Sequence, residues 1–428
     1  MNILSYTYDL IQKIKNKEMT FAYCINKAVN VGVIDAKDLI PVKDTLKAYI
    51  NRFYFLNWEV SNYFKDASDV QKEKMALAVA FARYARGVDL SNLKVELSQI
   101  LNEDEKNAID EVKAGSCIEA LAKGPTQLSD EINNNFARRI ALTYSYPEWL
   151  ITMMRKHFGT KNTVKSISLS RKGAPISVSI NKMLVDAPLT SANFEKTDTC
   201  STSYNFIGKD KLFEEQLFLQ KKIFVMDQSK QKMIEDFALE QAETILLMGH
   251  NDPSVALATI CGINDLGKVN YATPTQEDYL QAAKVVSKFQ SKAINLFVSE
   301  YSSIITSVAL GSQDRVICAA PSTNIGLARK RPEVLLQLDR DDIDKYLEEQ
   351  QKYLQEASTF LKDDGELDYY VSTLNKKESF LAVRTFLESH PNFSLLVEKL
   401  IFPYEYKGEG IYYARLKKQK KVAEENND

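Results

Sequence analysis

The sequence predicts a multidomain protein: an all-α N-terminal domain over residues 1–130, a small α+β module over 131–235, and a C-terminal α/β domain over 236–428. Three observations predict this. In the first segment glycine is scarce and apolar residues recur at helical spacing. In the second, Ile176, Val178 and Ile180 alternate with Ser177 and Ser179, the period of a half-buried strand. In the third, short apolar runs alternate with helical patterns, which argues for a parallel, doubly wound sheet.

Taken in order, the clearest N-terminal helix is Val70 to Arg86. Met75, Val79 and Ala82 line one face, with Leu77, Phe81 and Tyr84 close to it, and Gly87 offers a stop. A stripe this broad suits a helix packed inside a bundle. A short helix follows over Tyr146–Gly159, with Pro147 in its first turn and Gly159 closing it. Strands are expected at 175–181 and 221–226, then at 245–248, 267–271, 294–298, 315–320, 365–371 and 410–415. The main helices between them are expected at 341–361 and 376–390. The basic run from Arg415 reads as a solvated end.

Composition sets further bounds. With 45% hydrophobic and 26% charged residues in 428, the chain is neither disordered nor collagen-like. A formal net charge of −2 excludes a globally basic surface, so any nucleic-acid binding must come from local clusters. Cys24, Cys117, Cys200, Cys261 and Cys318 show neither a disulfide framework nor a zinc pattern, so no metal is expected and a cytoplasmic location fits. The N-terminus is amphipathic rather than signal-like. No run of ~18 apolar residues implies a membrane partner.

Several stretches are similar, in order, to motifs of the Sun/RsmB family of RNA 5-methylcytosine methyltransferases. Tyr146-Pro-Glu-Trp-Leu150 with Gly159 resembles "hPxWLv…yG", and 175–181 resembles a "P-[LI]-x-[LI]-R-V-N" strand, with Ser179 at the Arg position. Met226-Asp-Gln-Ser229 resembles "Q-D-x-[AS]". Ala320-Pro321, Gly326, Arg329–Arg331 and Pro332-Glu333 resemble "A-P-C-S-G-x-G-x-x-R-R-x-P-[DE]". Leu347, Gln351, Leu354 and Ala357, then Gly365-Glu-Leu367 with Tyr369, then Phe386, His390-Pro391 and Phe393, and Gly410 to Ala414 resemble the blocks that follow; Glu378 sits near the family's acidic residue. The resemblance covers roughly residues 140–418. It implies a Rossmann-like methyltransferase fold for the C-terminal domain, an RNA-recognition-like role for the middle module, and, by position and class, a NusB-like helical domain at the N-terminus.

The family's chemistry uses a cysteine thiolate that adds to C6 of cytosine, so that C5 takes a methyl group from S-adenosylmethionine; a second cysteine helps release the product. A thiol suits this because its pKa of ~8.5 can be lowered by its surroundings. Here Ser322 stands in the "A-P-C" position and Ala319 in the preceding Asp position, while Ser372 falls on the other cysteine position. Cys318 lies inside the expected strand, ~13 Å from the loop position, and reads as a core thiol. The cofactor positions read as Leu247 for an acidic residue, Gly249 in a loop without a glycine pair, Thr273 where an acid would hold the ribose, and Glu300 on the adenine side. The expectation is therefore a degenerate member, a pseudoenzyme with no cofactor, or with S-adenosylmethionine if active. His250 reads as an exposed loop residue, and Asn251-Asp252-Pro253 as turn chemistry.

The implied partner is RNA, ribosomal in this family context, with no DNA expected. Candidate phosphate contacts are Lys161, Lys165, Arg171, Lys172 and Lys182 in the middle module and Arg329, Lys330 and Arg331 beside the would-be active loop. Two other readings stay open: an active methyltransferase with divergent motifs, and a protein-binding scaffold with no RNA role.

Overall fold

A computed structural model describes residues 2–30, 32–101, 110–169 and 172–420. It divides into two compact units: Met1–Lys172 with Lys330–Leu338, and Gly173–Arg329 with Asp339–Asp428. The 131–235 segment is thus divided: its helices up to Ser168 belong to the first unit, and its strands, with the helices Gln216–Leu219 and Gln228–Phe237, to the second.

The first unit is helical. Its principal helices are Ile3–Lys15, Leu39–Tyr63, Asp69–Tyr84, Leu90–Leu101 and Glu111–Ala122. The predicted stripe on Asp69–Tyr84 is buried at Met75, Leu77, Val79 and Phe81. Ser68 and Gln71 start that helix with a reciprocal capping box. Arg83, at its far end, forks onto the buried Glu59 carboxylate at 2.7 Å, and the Thr126 N–H donates to the same carboxylate at 2.6 Å. The helix expected to close at Gly159 instead continues as Glu148–Ser168, broken at Gly159, whose φ of 78° no helix accommodates. The segment Lys330–Leu338 joins the same unit: the Tyr54 hydroxyl donates to the Leu335 carbonyl at 2.7 Å and the Gln337 amide to the Ile14 carbonyl at 2.6 Å.

The second unit holds two sheets. Strands β1 (Ile176–Ile180), β2 (Phe194–Lys196), β3 (Ser203–Phe206) and β4 (Ile223–Val225) form an antiparallel sheet in the order β2-β3-β1-β4. The half-buried reading of β1 needs correction. Ser177 and Ser179 are buried, while Ile176 is exposed. The serine face is covered by the helix Gln228–Phe237, and the Gln228 amide donates to the Ser177 hydroxyl at 3.3 Å.

The larger sheet contains β5 (Thr244–Gly249), β6 (Lys268–Thr273), β7 (Ile294–Val298), β8 (Gln313–Ala319), β9 (Leu361–Val371), β10 (Phe393–Ile401) and β11 (Ile411–Lys418), in the order β10-β11-β9-β8-β5-β6-β7. Strands β5 to β9 pair in parallel. Strand β11 runs against both β9 and β10, so the sheet is mixed rather than all-parallel. The link from β10 to β11 is too short for a crossover, and a short link joins antiparallel neighbours. Arg415 to Lys418, expected in a solvated tail, are the end of β11; the acidic end of the chain lies outside the described residues. The arrangement is Rossmann-like. Among the described residues no helix is long and apolar enough to cross a membrane.

Arg315 on β8 is the largest fully buried side chain in this sheet. It meets Asp368 at 2.7 Å, Glu366 at 2.9 Å and Glu243 at 3.0 Å. Asp368 is completely buried, so it depends on that guanidinium.

Candidate functional site

In an open Rossmann-like sheet, ligands sit beyond the carboxyl ends of the strands where the order reverses, here between β5 and β8. The loop after β5 begins at Gly249, with φ of 81° and no room for a side chain: a Cβ would lie 2.2 Å from the Ala319 carbonyl oxygen. That carbonyl, at the end of β8, accepts the His250 N–H at 2.9 Å.

Asn251 then turns inward and is 8% exposed. Its amide donates to the Met248 carbonyl at 2.8 Å, its side-chain oxygen accepts from the Tyr370 hydroxyl at 2.9 Å, and its carbonyl accepts from the Tyr271 hydroxyl at 2.6 Å. Asp252 caps the helix Pro253–Gly262 by accepting the Ser254 N–H at 2.8 Å. Asn251-Asp252-Pro253 is therefore a helix start, with Pro at its first position, rather than a free turn.

Asp252 also pairs with Lys230 at 2.9 Å, and Lys230 lies 3.2 Å from Glu409. Burial disfavours the Lys230 ammonium, yet Asp252 and Glu409 together hold its pKa well above the ordinary lysine value. Burial likewise opposes the Asp252 charge, and Lys230 overrides it, keeping the carboxyl well below the usual range. The helix N-terminus, a ready anion site, already holds a carboxylate of the chain's own.

The remaining predicted cofactor positions surround this loop. Leu247 is a buried β5 residue. Thr273, closing β6, is 1% exposed and donates its hydroxyl to the Phe297 carbonyl at 3.1 Å. Glu300, just past β7, is exposed. His250 is half-exposed, 3.9 Å from the Asp278 carboxylate.

Beside the loop lie the two segments predicted to carry chemistry, and one buried carboxylate ties them together. Glu378 accepts from the Thr323 N–H at 2.7 Å, the Thr323 hydroxyl at 2.6 Å, the Thr373 hydroxyl at 2.8 Å and the Asn375 amide at 3.3 Å. Burial pushes its pKa up, and these donors oppose the rise. Ser322 and Ser372, the neighbours of Thr323 and Thr373, are 5% and 9% exposed. The Ser322 hydroxyl donates to the Asn324 side chain at 3.3 Å, and the Ser372 carbonyl accepts the Gly326 N–H at 3.1 Å. Gln350 holds the Pro321 carbonyl at 2.8 Å. Cys318 is buried inside β8, and burial pushes its thiol pKa well up.

The structure thus brings Ala319, Ser322, Ser372 and Gly249 to one end of the sheet. The predicted RNA contacts fall in both units. Lys161, Lys165, Lys172, Lys330 and Arg331 belong to the first and are exposed, with Arg331 3.3 Å from Glu333. Lys182, exposed, and Arg329 belong to the second, and Arg329 donates to the Gly173 carbonyl at 2.8 Å and to the Lys407 carbonyl. Arg171 lies outside the described residues.

Sequence reading missed Lys230, Glu409, Tyr271 and Tyr370. One signal was available: Lys230 shares a helical face with Met233 and Phe237, both fully buried, and a lysine on such a stripe needs a buried acid.

Residues 280–417 match the family model described as 16S rRNA methyltransferase RsmB/F. The ribosomal RNA small subunit methyltransferase B of Vibrio cholerae is 32% identical over 112 residues, 25% of this chain and 26% of that protein. The matched stretch therefore spans about a quarter of that relative's length. The crystal structure of PH0851 superposes with a TM-score of 0.74 at 17% identity, covering 95% of this chain and 97% of that one. A methyltransferase homologue from Pyrococcus horikoshii superposes with a TM-score of 0.58 at 15% identity, over 68% of this chain and all of that one. These likenesses bear on the fold.

Proposed function

We propose that this chain, whose residues 280–417 match the RsmB/F methyltransferase family model, is a cytoplasmic RNA-binding protein of that family, directed at ribosomal RNA, that does not transfer methyl groups. The observation that carries this reading is the closed loop after β5. Its backbone and side-chain groups are consumed by the chain itself: His250 N–H by Ala319, and Asn251 by Met248, Tyr271 and Tyr370. S-adenosylmethionine needs free backbone donors at the loop and an acidic partner for its ribose hydroxyls. The residues present do not fit it, since Thr273 is neutral and already engaged.

The chemical positions support the same reading. A serine hydroxyl adds to a cytosine ring only with a dedicated base. Ser322 bonds to an asparagine, and the Glu378 carboxylate beside it is saturated by four donors.

The RNA part is tested by filter retention of 16S rRNA across a salt series. Binding should weaken steeply with salt. Replacing Lys161, Lys165 and Lys172 with Gln should flatten the slope of log K against log salt by about 2–3, one phosphate per lysine. Salt-independent or absent retention would remove the RNA reading and leave a protein scaffold.

A further inference from the structure

The first unit carries a basic face. The helix Phe136–Tyr144 buries Ile140, Ala141 and Leu142 and leaves Arg138 and Arg139 exposed. The helix Glu148–Ser168 packs on it. That second helix buries Leu150, Ile151 and Met154 in its first half and leaves Arg155 and Lys156 exposed; Lys161 and Lys165 are exposed beyond the break at Gly159. Over residues 136–168 six lysines and arginines stand against one acid, Glu148, in a chain whose formal net charge is −2.

The two helices bring these cations together. The Arg155 guanidinium lies 4.8 Å from the centre of the Phe136 ring. Arg139, three residues on from Phe136, rises on the same helix face. Arg155 and Arg139 are therefore neighbours, with Lys156 and Arg138 next to them in sequence. Elsewhere in this unit cations meet acids: Lys15 pairs with Glu73, Arg83 with Glu59 and Arg86 with Asp44. Among the described residues Arg138, Arg139, Arg155, Lys156 and Lys161 have no ion-pair partner. Like charges gathered without counter-charges repel one another, and a bound polyanion relieves that repulsion.

We infer that this face is a docking surface for the sugar–phosphate backbone of double-helical RNA. Three of its cations are guanidinium groups, whose planar fork meets a phosphate with two bonds. A single strand is held through bases stacked on aromatic rings as well as through its phosphates. This face offers no such platform: Arg155 covers Phe136, and none of the aromatic residues of the two helices is exposed. A duplex turns its bases inward, presents phosphates along both strands and is recognised by shape, so a surface of cations alone suits it. The assignment rests on the RNA-binding reading and adds to it the form of RNA that is held.

Filter retention of an RNA duplex of about 16 base pairs, the span of a double-strand-binding module, is compared with that of oligouridylate of the same length, which forms no helix. The wild type should hold the duplex at least about tenfold more tightly, since no ring is available to stack the bases. Replacing Arg138, Arg139, Arg155 and Lys156 with Gln should flatten the slope of log K against log salt by about 3–4, near 0.9 for each phosphate contact. Replacing Arg138 and Arg139 alone leaves Arg155 on its ring and should flatten it by about 2. A control variant with Lys27, Lys37, Lys65 and Lys123 changed to Gln, exposed cations elsewhere in the same unit, alters net charge as much as the fourfold variant and should keep the wild-type slope. All the replaced residues are exposed, so the three variants should melt with the wild type. An unchanged slope in the fourfold variant, in protein that still retains 16S rRNA, overturns this surface and leaves the RNA reading standing. A slope flattened as much by the control variant also overturns the surface. Oligouridylate held as tightly as the duplex overturns the double-helical assignment. Retention of neither the duplex nor 16S rRNA overturns both readings.

Discussion

The Glu378 carboxylate and Thr323 are joined twice, by the Thr323 N–H at 2.7 Å and by its hydroxyl at 2.6 Å. The same carboxylate accepts from Thr373 at 2.8 Å, so one buried side chain fixes both loops that flank Ser322 and Ser372. Glu378→Ala would leave several buried donors unsatisfied and should cost about 3 kcal/mol or more, read as a lower urea midpoint. Glu378→Gln keeps the volume but offers donors where the threonines need an acceptor. It should cost less than the alanine, about 1–2 kcal/mol. Equal stability of both variants to wild type would show that the loops hold without this link.

Gly249 and Gly311 separate two reasons for glycine. Both have positive φ, 81° and 61°, but only Gly249 would place a Cβ against backbone, 2.2 Å from the Ala319 oxygen. Gly311→Ala should cost about 1 kcal/mol, the strain of the left-handed region alone. Gly249→Ala should cost distinctly more, because β5 and β8 must move apart. Thermal unfolding of the pair checks the order.

Arg315 compensates three carboxylates, of which Asp368 is fully buried. Arg315→Met should destabilise by about 3–5 kcal/mol by stranding that charge. Arg315→Met combined with Asp368→Leu should recover much of the loss, since an apolar pair removes the stranded charge as well as its partner. Denaturant unfolding of the two variants measures both effects.

These outcomes also mark what was legible beforehand. Strands β5, β6 and β8 stand close to the apolar runs that announced them, because interior strands are buried over most of their length; β7 kept its apolar run although it lies at the sheet edge and is partly exposed. Strand β10 escaped, since Phe393–Ile401 interleaves Glu398 and Lys399 and its outer residues are partly exposed at the sheet edge. The start of β9 was hidden for a related reason: the strand was expected only from residue 365, yet it runs from Leu361 through the charged, exposed Lys362, Asp363 and Asp364. At the site, Gly249, Thr273, Ser322 and Ser372 could be named from local motifs. Their closure could not, because the tyrosines that hold Asn251 come from β6 and β9, 20 and 119 residues away along the chain. Hydrogen bonds of that span leave no local pattern.

Glu356 supplies a pH dependence. Partial burial raises its carboxyl from the ordinary 4.5 to about 7. A carboxyl raised on folding binds its proton more tightly in the native state, so the stability it contributes is complete below about 4.5 and is lost as pH rises through 7. With solvent screening the loss should be on the order of 1 kcal/mol. Glu356→Gln should match wild type near pH 4 and exceed it near pH 8, read from urea midpoints. A constant difference across that range would contradict the assignment.

Methyl transfer is the most direct test of the whole account. Folded protein, 16S rRNA and S-adenosylmethionine carrying a tritiated methyl group are incubated together, and the RNA is digested to nucleosides. The closed loop at Asn251 and the hydroxyls at Ser322 and Ser372 predict 5-methylcytidine no higher than in a protein-free control, from protein that retains the RNA on a filter. Tritium in 5-methylcytidine that rises with protein concentration would contradict it.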